Sequence, residues 1–386
     1  MKENHKLGVL GVALMYVGAI MGAGFASGRE IWQYFGLFGV KGFIGVAVVG
    51  CLLMAIGVMT SRIARSLHTN DMGKVIVPGN HPGLIEFVGY FMAIMLFTVL
   101  VAMSAACGAL FHQQFGQSRI VGGMLITALV ILTVIGGFER VAKVFRCIMP
   151  LLLCVVLSLS LIVIFSDLPK SSIQAEMAPS PFAPNWILAA MIYVSYNILA
   201  VIPIVATASI NAKNDRTAVT GTILGALFLG ALAFLLTMAM FRDMGFSQAM
   251  DMPMLAYSAR ISKGVNVLYT SVLLFAIYSS ATSNYYGFTT KIKPSPTRKL
   301  KIILLACLGF IFGLIGFTNV VAFVLPIEGL MGFVIIAMIT MNYRRVMKMD
   351  KKIAEEDSQI VSSQQNSSED EHAKETENKP LKEEIS

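Results

Sequence analysis

The sequence predicts an all-α integral membrane protein of about ten transmembrane helices, arranged as two five-helix repeats of opposite orientation. Hydrophobic residues make up 56% of the chain and charged residues only 13%, with a mean hydropathy of +0.73, whereas soluble domains carry roughly 25% charged residues. Apolar runs of the ~20 residues that cross a bilayer recur along the chain. Because lipid offers the backbone no hydrogen-bond partner, these runs are predicted to be helices.

The spans are predicted from the ends of these apolar runs. They are 7–36, 39–61, 84–111, 119–136, 141–166, 186–210, 217–241, 264–289, 300–317 and 320–342.

The loops between the spans predict the orientation of the chain and its location. With both termini in the cytoplasm, the inside segments carry 20 Lys and Arg residues and the outside segments carry 6. This bias obeys the positive-inside rule and predicts a multi-pass protein of the cell membrane, with the lipid bilayer as its surroundings. Because the basic residues lie in short loops between apolar spans, we do not expect a nucleic-acid partner.

The two ends of the chain differ in composition. Residues 350–386 hold 11 of the 22 acidic residues and 5 of the 30 basic ones, and they contain few apolar residues. Such a segment cannot bury enough apolar area to fold alone. We therefore predict a transmembrane domain over 1–349 and a disordered charged cytoplasmic tail over 350–386.

A proline-rich loop at 167–185 divides the ten spans into repeats of about 7–166 and 186–342. Five is an odd number, so the second repeat must enter the bilayer in the opposite orientation, an arrangement common in transporters. Span 1 then corresponds to span 6, and we predict that both helices are broken. Span 6 contains the polar segment 193–197, followed by Pro203, which lacks a backbone donor.

Span 1 contains four glycines and three alanines within residues 18–29. Each glycine weakens helix propensity by about 1 kcal/mol, so an unwound stretch near the membrane midplane is accessible. Its free carbonyls could coordinate a cation, and the amides of the next half-helix could face an anionic group. The same residues also fit GxxxG helix packing, so both interpretations stay open.

Span 8 contains Tyr278-Ser-Ser-Ala-Thr-Ser-Asn284, with five hydroxyl or amide side chains (not counting the tyrosine) in seven residues. Such a cluster raises the cost of membrane insertion unless it is used or paired. The hydroxyls could bind a ligand, or they could bond back to carbonyls of their own helix.

Two segments carry a resemblance to known families. The run Gly18-Ala-Ile-Met-Gly-Ala-Gly24 resembles the broken first helix of LeuT-fold transporters, which are similar to the amino acid-polyamine-organocation carriers. The stretch from Gly22 to Glu30 resembles the YkvI-type bacterial membrane proteins. The resemblance covers about 7–342 and implies a secondary transporter of a small solute, an amino acid or related zwitterion. It also implies sodium as the coupling ion.

The resemblance also implies site residues. The sodium ligands would be the carbonyls of Gly18, Met21 and Ser279 and the hydroxyls of Thr282 and Ser283. The substrate would lie against Gly22, Ala23, Gly24, Phe25, Tyr193, Ser195, Tyr196 and Asn197. Phe25 stands where related carriers place an Asn for a second sodium, and span 6 lacks their break-point glycine. Span 5 has no mid-membrane Lys, which favours sodium over a proton.

Charged side chains at membrane depth must be paired or face water. The resemblance implies an outer gate in which Arg29 approaches Glu328. Arg29 is one residue away from the family's gate position, so a local pair with Glu30 remains an alternative. Either acid could also carry a proton.

Other functions are less consistent with the residues. The chain has no Walker motif, no membrane-depth His and no paired Ser and His, so we expect no ATP-driven pump and no enzyme. The cysteines and histidines predict no metal centre. A proton-coupled carrier, a non-transporting sensor and a channel remain alternatives on the same fold.

Overall fold

The computed structural model describes residues 6–136, 138–174 and 179–377. In chain order the helices are α1 Val9–Ile20, α2 Ala23–Ala26, α3 Arg29–Tyr34, α4 Val40–Ser66, α5 Met72–Ile76, α6 Pro82–Phe115, α7 Arg119–Ile135, α8 Phe138–Phe165, α9 Trp186–Ile210, α10 Asp215–Met240, α11 Met244–Ala249, α12 Pro253–Ile261, α13 Lys263–Thr289, α14 Arg298–Gly313, α15 Phe317–Asn319 and α16 Leu325–Glu377. A 3₁₀ turn covers Gly36–Phe38 and a π-helical turn covers Val320–Val324.

The helices confirm an all-α membrane fold. Within the described ranges, six helices are long and apolar enough to cross a bilayer, and three shorter apolar helices accompany them. Each of the ten predicted spans coincides with a helix or with a short series of helices. Large apolar side chains such as Leu132, Phe165 and Val334 are 62–82% exposed. An apolar surface of this extent is what lipid contact requires.

The packing of the helices follows the two-repeat arrangement. If spans 1–5 correspond to spans 6–10, the contact of α1 with α10 should have a counterpart between α9 and α4, and both are present. The contact of α1 with α8 has its counterpart between α9 and α16. The contact of α10 with α8 likewise has its counterpart between α4 and α16. Helices α1, α4, α9 and α10 therefore form a central bundle, and α6 and α13 pack beside it.

Span 1 is broken as predicted. The amide of Gly22 donates to Ile20 O at 2.7 Å, although continued α-helix would have it donate to Gly18 O. Met21 has φ −75° and ψ 67°, the values of an inverse γ-turn. The helix resumes at Ala23 and is interrupted again at Gly28, whose φ of +80° is left-handed.

The predicted break in span 6 is wrong, because α9 runs without interruption from Trp186 to Ile210. Asn197 Nδ2 donates to Tyr193 O at 2.8 Å, so this polar side chain is satisfied within its own helix. Pro203 removes one donor only, and its own carbonyl accepts from Thr207 Oγ1 at 2.8 Å. The loss of one backbone donor can bend a helix, but it does not unwind a helix that is held by tertiary packing.

Helix α16 continues as far as Glu377, into the segment 350–386, and the disorder of that segment as a cytoplasmic tail stays a prediction. Lys351 and Lys352 pair with Glu355 and Glu356 at 3.6 Å, one helical turn further on. Pairs of this kind and good helix formers stabilise helix without burial. Residues 378–386 lie outside the described residues.

Candidate functional site

A small cavity lies in the middle of the bundle, at the break in span 1. Its volume is about 80 Å³, enough for several water molecules. Its walls come from α1, α3, α6, α9, α13, α15 and α16. They comprise Ala19, Ile20, Gly22, Glu30, Met95, Leu96, Val99, Ala102, Met103, Tyr196, Asn197, Leu199, Ala200, Ser280, Asn284, Phe317, Leu325 and Glu328.

The cavity includes only part of the predicted substrate set. Gly22, Tyr196 and Asn197 line it, whereas Ala23 and Phe25 are fully buried in the core behind it. The break therefore opens onto the cavity through Gly22, as a half-helix site requires.

Gly24 shapes the cavity without lining it. A Cβ at this position would overlap the carboxyl group of Glu30. The absence of a side chain at Gly24 therefore allows Glu30 to fold back over α2 and reach the cavity.

Two further predicted substrate residues are used for packing. Ser195 Oγ donates to Gly329 O at 2.5 Å and so joins α9 to α16. The ring of Tyr193 packs against those of Phe35 and Tyr196 at 5.0 and 5.3 Å between centroids. These contacts hold Tyr196 against the cavity wall.

Two carboxylates face the cavity from different repeats. Glu30 is 8% exposed and Glu328 is 6% exposed, and both line the cavity. Glu30 Oε2 accepts from the Tyr196 hydroxyl at 2.8 Å, while Glu328 Oε1 has no hydrogen-bond partner among the described residues. Sequence reasoning did not place Glu30 in the substrate set. An acid within an otherwise apolar span was the available signal.

Arg29 forms no ion pair with Glu328 in this conformation, and the direct gate between the two stays a prediction. Arg29 Nη1 donates to the carbonyls of Gln248 and Met250, each at 3.3 Å. The left-handed turn at Gly28 sets the start of α3, which directs Arg29 towards a loop and Glu30 towards the cavity. The alternative local pair of Arg29 with Glu30 is also absent from the ion pairs of the described residues.

The loop that receives Arg29 closes one end of the bundle, and we call residues 248–252 the loop-side clasp. Asp251 pairs with Arg119 and accepts from Thr318 Oγ1, both at 2.6 Å. Gln113 exchanges two hydrogen bonds with the backbone of Met252, each of 3.0 Å. The clasp thus ties span 1 to α6, α7 and α15. The residues that form these contacts are far apart in the sequence, so no local sequence pattern predicts them.

At the opposite end of the bundle lie polar side chains that we call the terminal-side cluster, comprising Arg65, Ser66, Asp215 and Asp350, and they line a surface groove. Arg65 forms an ion pair with Asp215 and donates to Ser209 O at 3.2 Å. Ser66 Oγ donates to Asp350 at 2.6 Å. The cavity therefore lies between two polar closures.

The predicted sodium ligands lie on both sides of the break. Gly22 faces α13 so closely that a Cβ there would be 3.6 Å from Ser280 Oγ. Ser279 and Thr282 are 3% and 2% exposed, and neither hydroxyl has a hydrogen-bond partner in the described part of the chain. The Ser283 hydroxyl, in contrast, donates to Ser280 O of its own helix at 3.2 Å.

The free hydroxyl of Thr282 contrasts with other helical threonines of this chain. Those that bond to the carbonyl four residues earlier, at 2.7–2.8 Å, are Thr60, Thr133, Thr207, Thr222, Thr237, Thr270 and Thr340. Thr282 makes no such bond, and neither does Thr127 in α7, which lies away from the break. An unpaired buried hydroxyl costs about 1–3 kcal/mol, and oxygen donors of this type suit a hard cation such as sodium.

Comparison with known proteins identifies relatives of similar length. No protein-family model matches the chain. The membrane protein YkvI of Bacillus subtilis (strain 168) is 25% identical over 333 residues, which cover 85% of this chain and 94% of YkvI. The protein YyaD of the same organism is 22% identical over 322 residues, covering 82% of this chain and 92% of YyaD.

Two solved structures share the fold. Mhp1 in its inward-facing conformation has a TM-score of 0.57 at 14% identity, covering 86% of this chain and 76% of Mhp1. MhsT in complex with L-phenylalanine has a TM-score of 0.53 at 17% identity, covering 84% of this chain and 87% of MhsT. The chain is therefore similar in sequence to the Bacillus membrane proteins YkvI and YyaD, and it has the LeuT-type fold that Mhp1 and MhsT share.

Proposed function

We propose that the protein is a secondary active transporter that moves an amino acid or a related small compound by alternating access, coupled to sodium. The fold shared with the secondary transporters Mhp1 and MhsT supports this function. The observation that carries it is the break at Met21 and Gly22, which opens onto a largely apolar cavity that holds the acids Glu30 and Glu328 and lies between the two closures. Transport requires that these closures open in turn.

The closures are of a kind that can open. The loop-side clasp and the terminal-side cluster consist of hydrogen bonds and partly exposed ion pairs, which contribute little net free energy each. The contacts within either set can therefore be replaced by contacts with water at a small cost in free energy. The apolar contacts of the core between them cannot be replaced in this way. A channel would need both ends open at once and a continuous polar pore.

Sodium fits the donor set at the break. The carbonyls of Gly18, Met21 and Ser279 and the hydroxyls of Thr282 and Ser283 would hold it, and the ion would supply a positive charge that draws α1 and α13 together. Thr282 supports the assignment because its hydroxyl is buried and unpaired. The competing proposal is proton coupling through Glu30 and Glu328, which their position in the cavity favours.

The test is uptake of labelled amino acids into proteoliposomes under a sodium gradient or a pH gradient alone. We expect accumulation with the sodium gradient. Thr282→Val keeps the shape of the side chain and should raise the sodium concentration for half-maximal uptake roughly tenfold, the loss of about 1.4 kcal/mol. Thr237→Val is the matched control, because Thr237 is buried and bonded to its own helix. Uptake driven by the pH gradient alone would favour the proton.

We also propose that the terminal side faces the cytoplasm of the cell, in line with the excess of basic residues there. Lys170 and Lys352 are exposed and lie in segments predicted to be on opposite sides of the membrane. In a cysteine-free chain, Lys170→Cys should react with an impermeant maleimide in intact cells and Lys352→Cys should not. The reverse pattern would invert the orientation.

A further inference from the structure

We infer that the cavity accepts, among small amine solutes, those with a net positive charge, and that Glu30 and Glu328 hold the cationic group. The inference rests on the proposed transport function and narrows its substrate class. A simple zwitterion would bring its own carboxylate into a cavity that already holds two.

The charge of the cavity is one-sided. Glu30 and Glu328 line it, and no Lys, Arg or His stands among its lining residues in the described part of the chain. The nearest cation in sequence, Arg29, donates to the clasp carbonyls of Gln248 and Met250. An anionic solute would therefore meet two acidic groups and no fixed counter-charge.

The carboxyl groups of the two acids include an acceptor oxygen without a donor, and a cationic group could supply that donor. Glu30 receives the Tyr196 hydroxyl, but the 6%-exposed Glu328 leaves Oε1 unpaired beside the cavity. Thr98 lies within hydrogen-bonding reach of the Glu328 carboxyl group, so the unfavourable feature is the one buried oxygen that lacks a donor. An ammonium group carries three donors and no acceptor, which matches two acceptor groups across a small space.

The remaining walls define the rest of the solute. Met95, Leu96 and Val99 form an apolar wall from α6, and Asn197 and Asn284 provide amides on other walls. Short aliphatic chains fit such a surface. A divalent metal ion does not, because it needs about six oxygen ligands, and the described residues contain no group of three or more His, Cys, Asp or Glu that could hold one.

The binding test uses three probes of nearly equal shape and different charge: n-propylamine, 1-propanol and propionate. Each is added at matched ionic strength and pH 7.5 to the purified full-length protein in detergent, and thermal unfolding is followed. We expect n-propylamine, which is cationic at this pH, to raise Tm by about 2 °C or more at saturation. Neither 1-propanol nor propionate should do so. Equal stabilisation by 1-propanol, or none by n-propylamine, overturns the inference.

The variants assign the effect to the two acids. Glu328→Gln and Glu30→Gln should each weaken n-propylamine binding at least about tenfold, because each replaces a carboxylate that faces the bound cation by a neutral amide. Glu86→Gln is the control, since Glu86 is exposed and lies outside the cavity. Glu328→Asp keeps the charge and should retain part of the binding, so a variant that merely misfolds is recognised. Unchanged binding in both Gln variants also overturns the inference.

A transport measurement separates the failure of the inference from that of the proposed function. A sodium gradient is imposed across the membrane of proteoliposomes, and labelled L-lysine or labelled L-alanine is added outside. Uptake of L-lysine that Glu328→Gln abolishes supports both proposals. Uptake of L-alanine alone refutes the inference and leaves the transport function standing. Stabilisation by n-propylamine with no uptake of either amino acid supports the binding site and counts against transport.

Discussion

The hydroxyl of Tyr196 donates to Glu30 Oε2 at 2.8 Å, and this bond links the two repeats at the cavity. Tyr196 belongs to the continuous helix α9, whereas Glu30 belongs to the short helix α3 that follows the break. The bond therefore ties the second half of span 1 to the unbroken span that corresponds to it. It also holds the Glu30 carboxylate in position beside Glu328.

Tyr196→Phe tests this link. The change removes one oxygen atom and leaves a buried carboxylate without its donor, so we expect a destabilisation of about 1–3 kcal/mol and weaker solute binding. Thermal unfolding and uptake rates measure the two effects. Tyr90→Phe is the control, because Tyr90 is exposed by 41% on the outer surface. Equal behaviour of the two variants would show that the bond contributes nothing.

Gly24→Ala tests the close approach of Glu30 to α2. The added methyl group would overlap the Glu30 carboxyl group and force that side chain out of its place, at a cost of about 1–3 kcal/mol. We expect initial uptake to fall roughly tenfold, since 1.4 kcal/mol corresponds to that factor. Gly83→Ala is the matched control, because a Cβ there meets no atom within 4 Å. Full activity of Gly24→Ala would contradict this role.

Weakening the two closures should expose the cavity from opposite sides of the membrane. Asp251→Asn removes the partner of Arg119 in the loop-side clasp. A partly exposed ion pair contributes up to about 1 kcal/mol, so the loop-side-open state should become roughly threefold more populated. In a cysteine-free background, the cavity variant Ala102→Cys should then react faster with an impermeant maleimide from the loop side.

Asp215→Asn is the counterpart at the other end of the bundle. It breaks the ion pair with Arg65 in the terminal-side cluster and should raise labelling of Ala102→Cys from the terminal side instead. Right-side-out and inverted vesicles distinguish the two faces. The same increase from both faces in either variant would mean that neither closure acts as a gate.

Asp243 predicts how the loop beyond α10 responds to acid. Burial opposes its ionisation, but the backbone amides of Ser171 and Phe246 and the side chain of Arg260 donate to its carboxylate, and the net result is a pKa below the usual 3.8. A carboxylate with a lowered folded pKa stabilises the protein above its unfolded pKa, and this stabilisation is lost as the pH falls through the folded value.

The stabilising effect of Asp243 should therefore be complete at neutral pH and should disappear below about pH 4. Asp243→Asn keeps an N-cap acceptor but removes the charge, so its Tm should lie below that of the parent protein at pH 7 and approach it at pH 3. Thermal unfolding measured across this range checks the convergence. A constant difference in Tm would show that charge does not matter there.

The sodium segment illustrates what could be predicted locally. The pairing of a glycine-rich stretch with a hydroxyl-rich one was visible because both patterns lie within a few residues of sequence. Their juxtaposition was expected only from the resemblance to LeuT-fold carriers, and in the structure α2 packs against α13. The direction of the Thr282 hydroxyl could not be predicted, because the alternative bond to its own helix was equally consistent with the sequence.

The sequence alone determined the number of spans, the all-α membrane fold and the interruption of span 1, because hydropathy and the low helix propensity of glycine act over short stretches of chain. Tertiary structure decided that α9 stays continuous, since packing compensates for one proline, and that Ser195 serves helix contact instead of the cavity. It also decided that Glu30 and not Arg29 faces Glu328. The direction of these side chains depends on Gly28, whose left-handed backbone conformation sets the orientation of α3. That conformation is selected by contacts with the rest of the fold, so it could not be predicted from the local sequence.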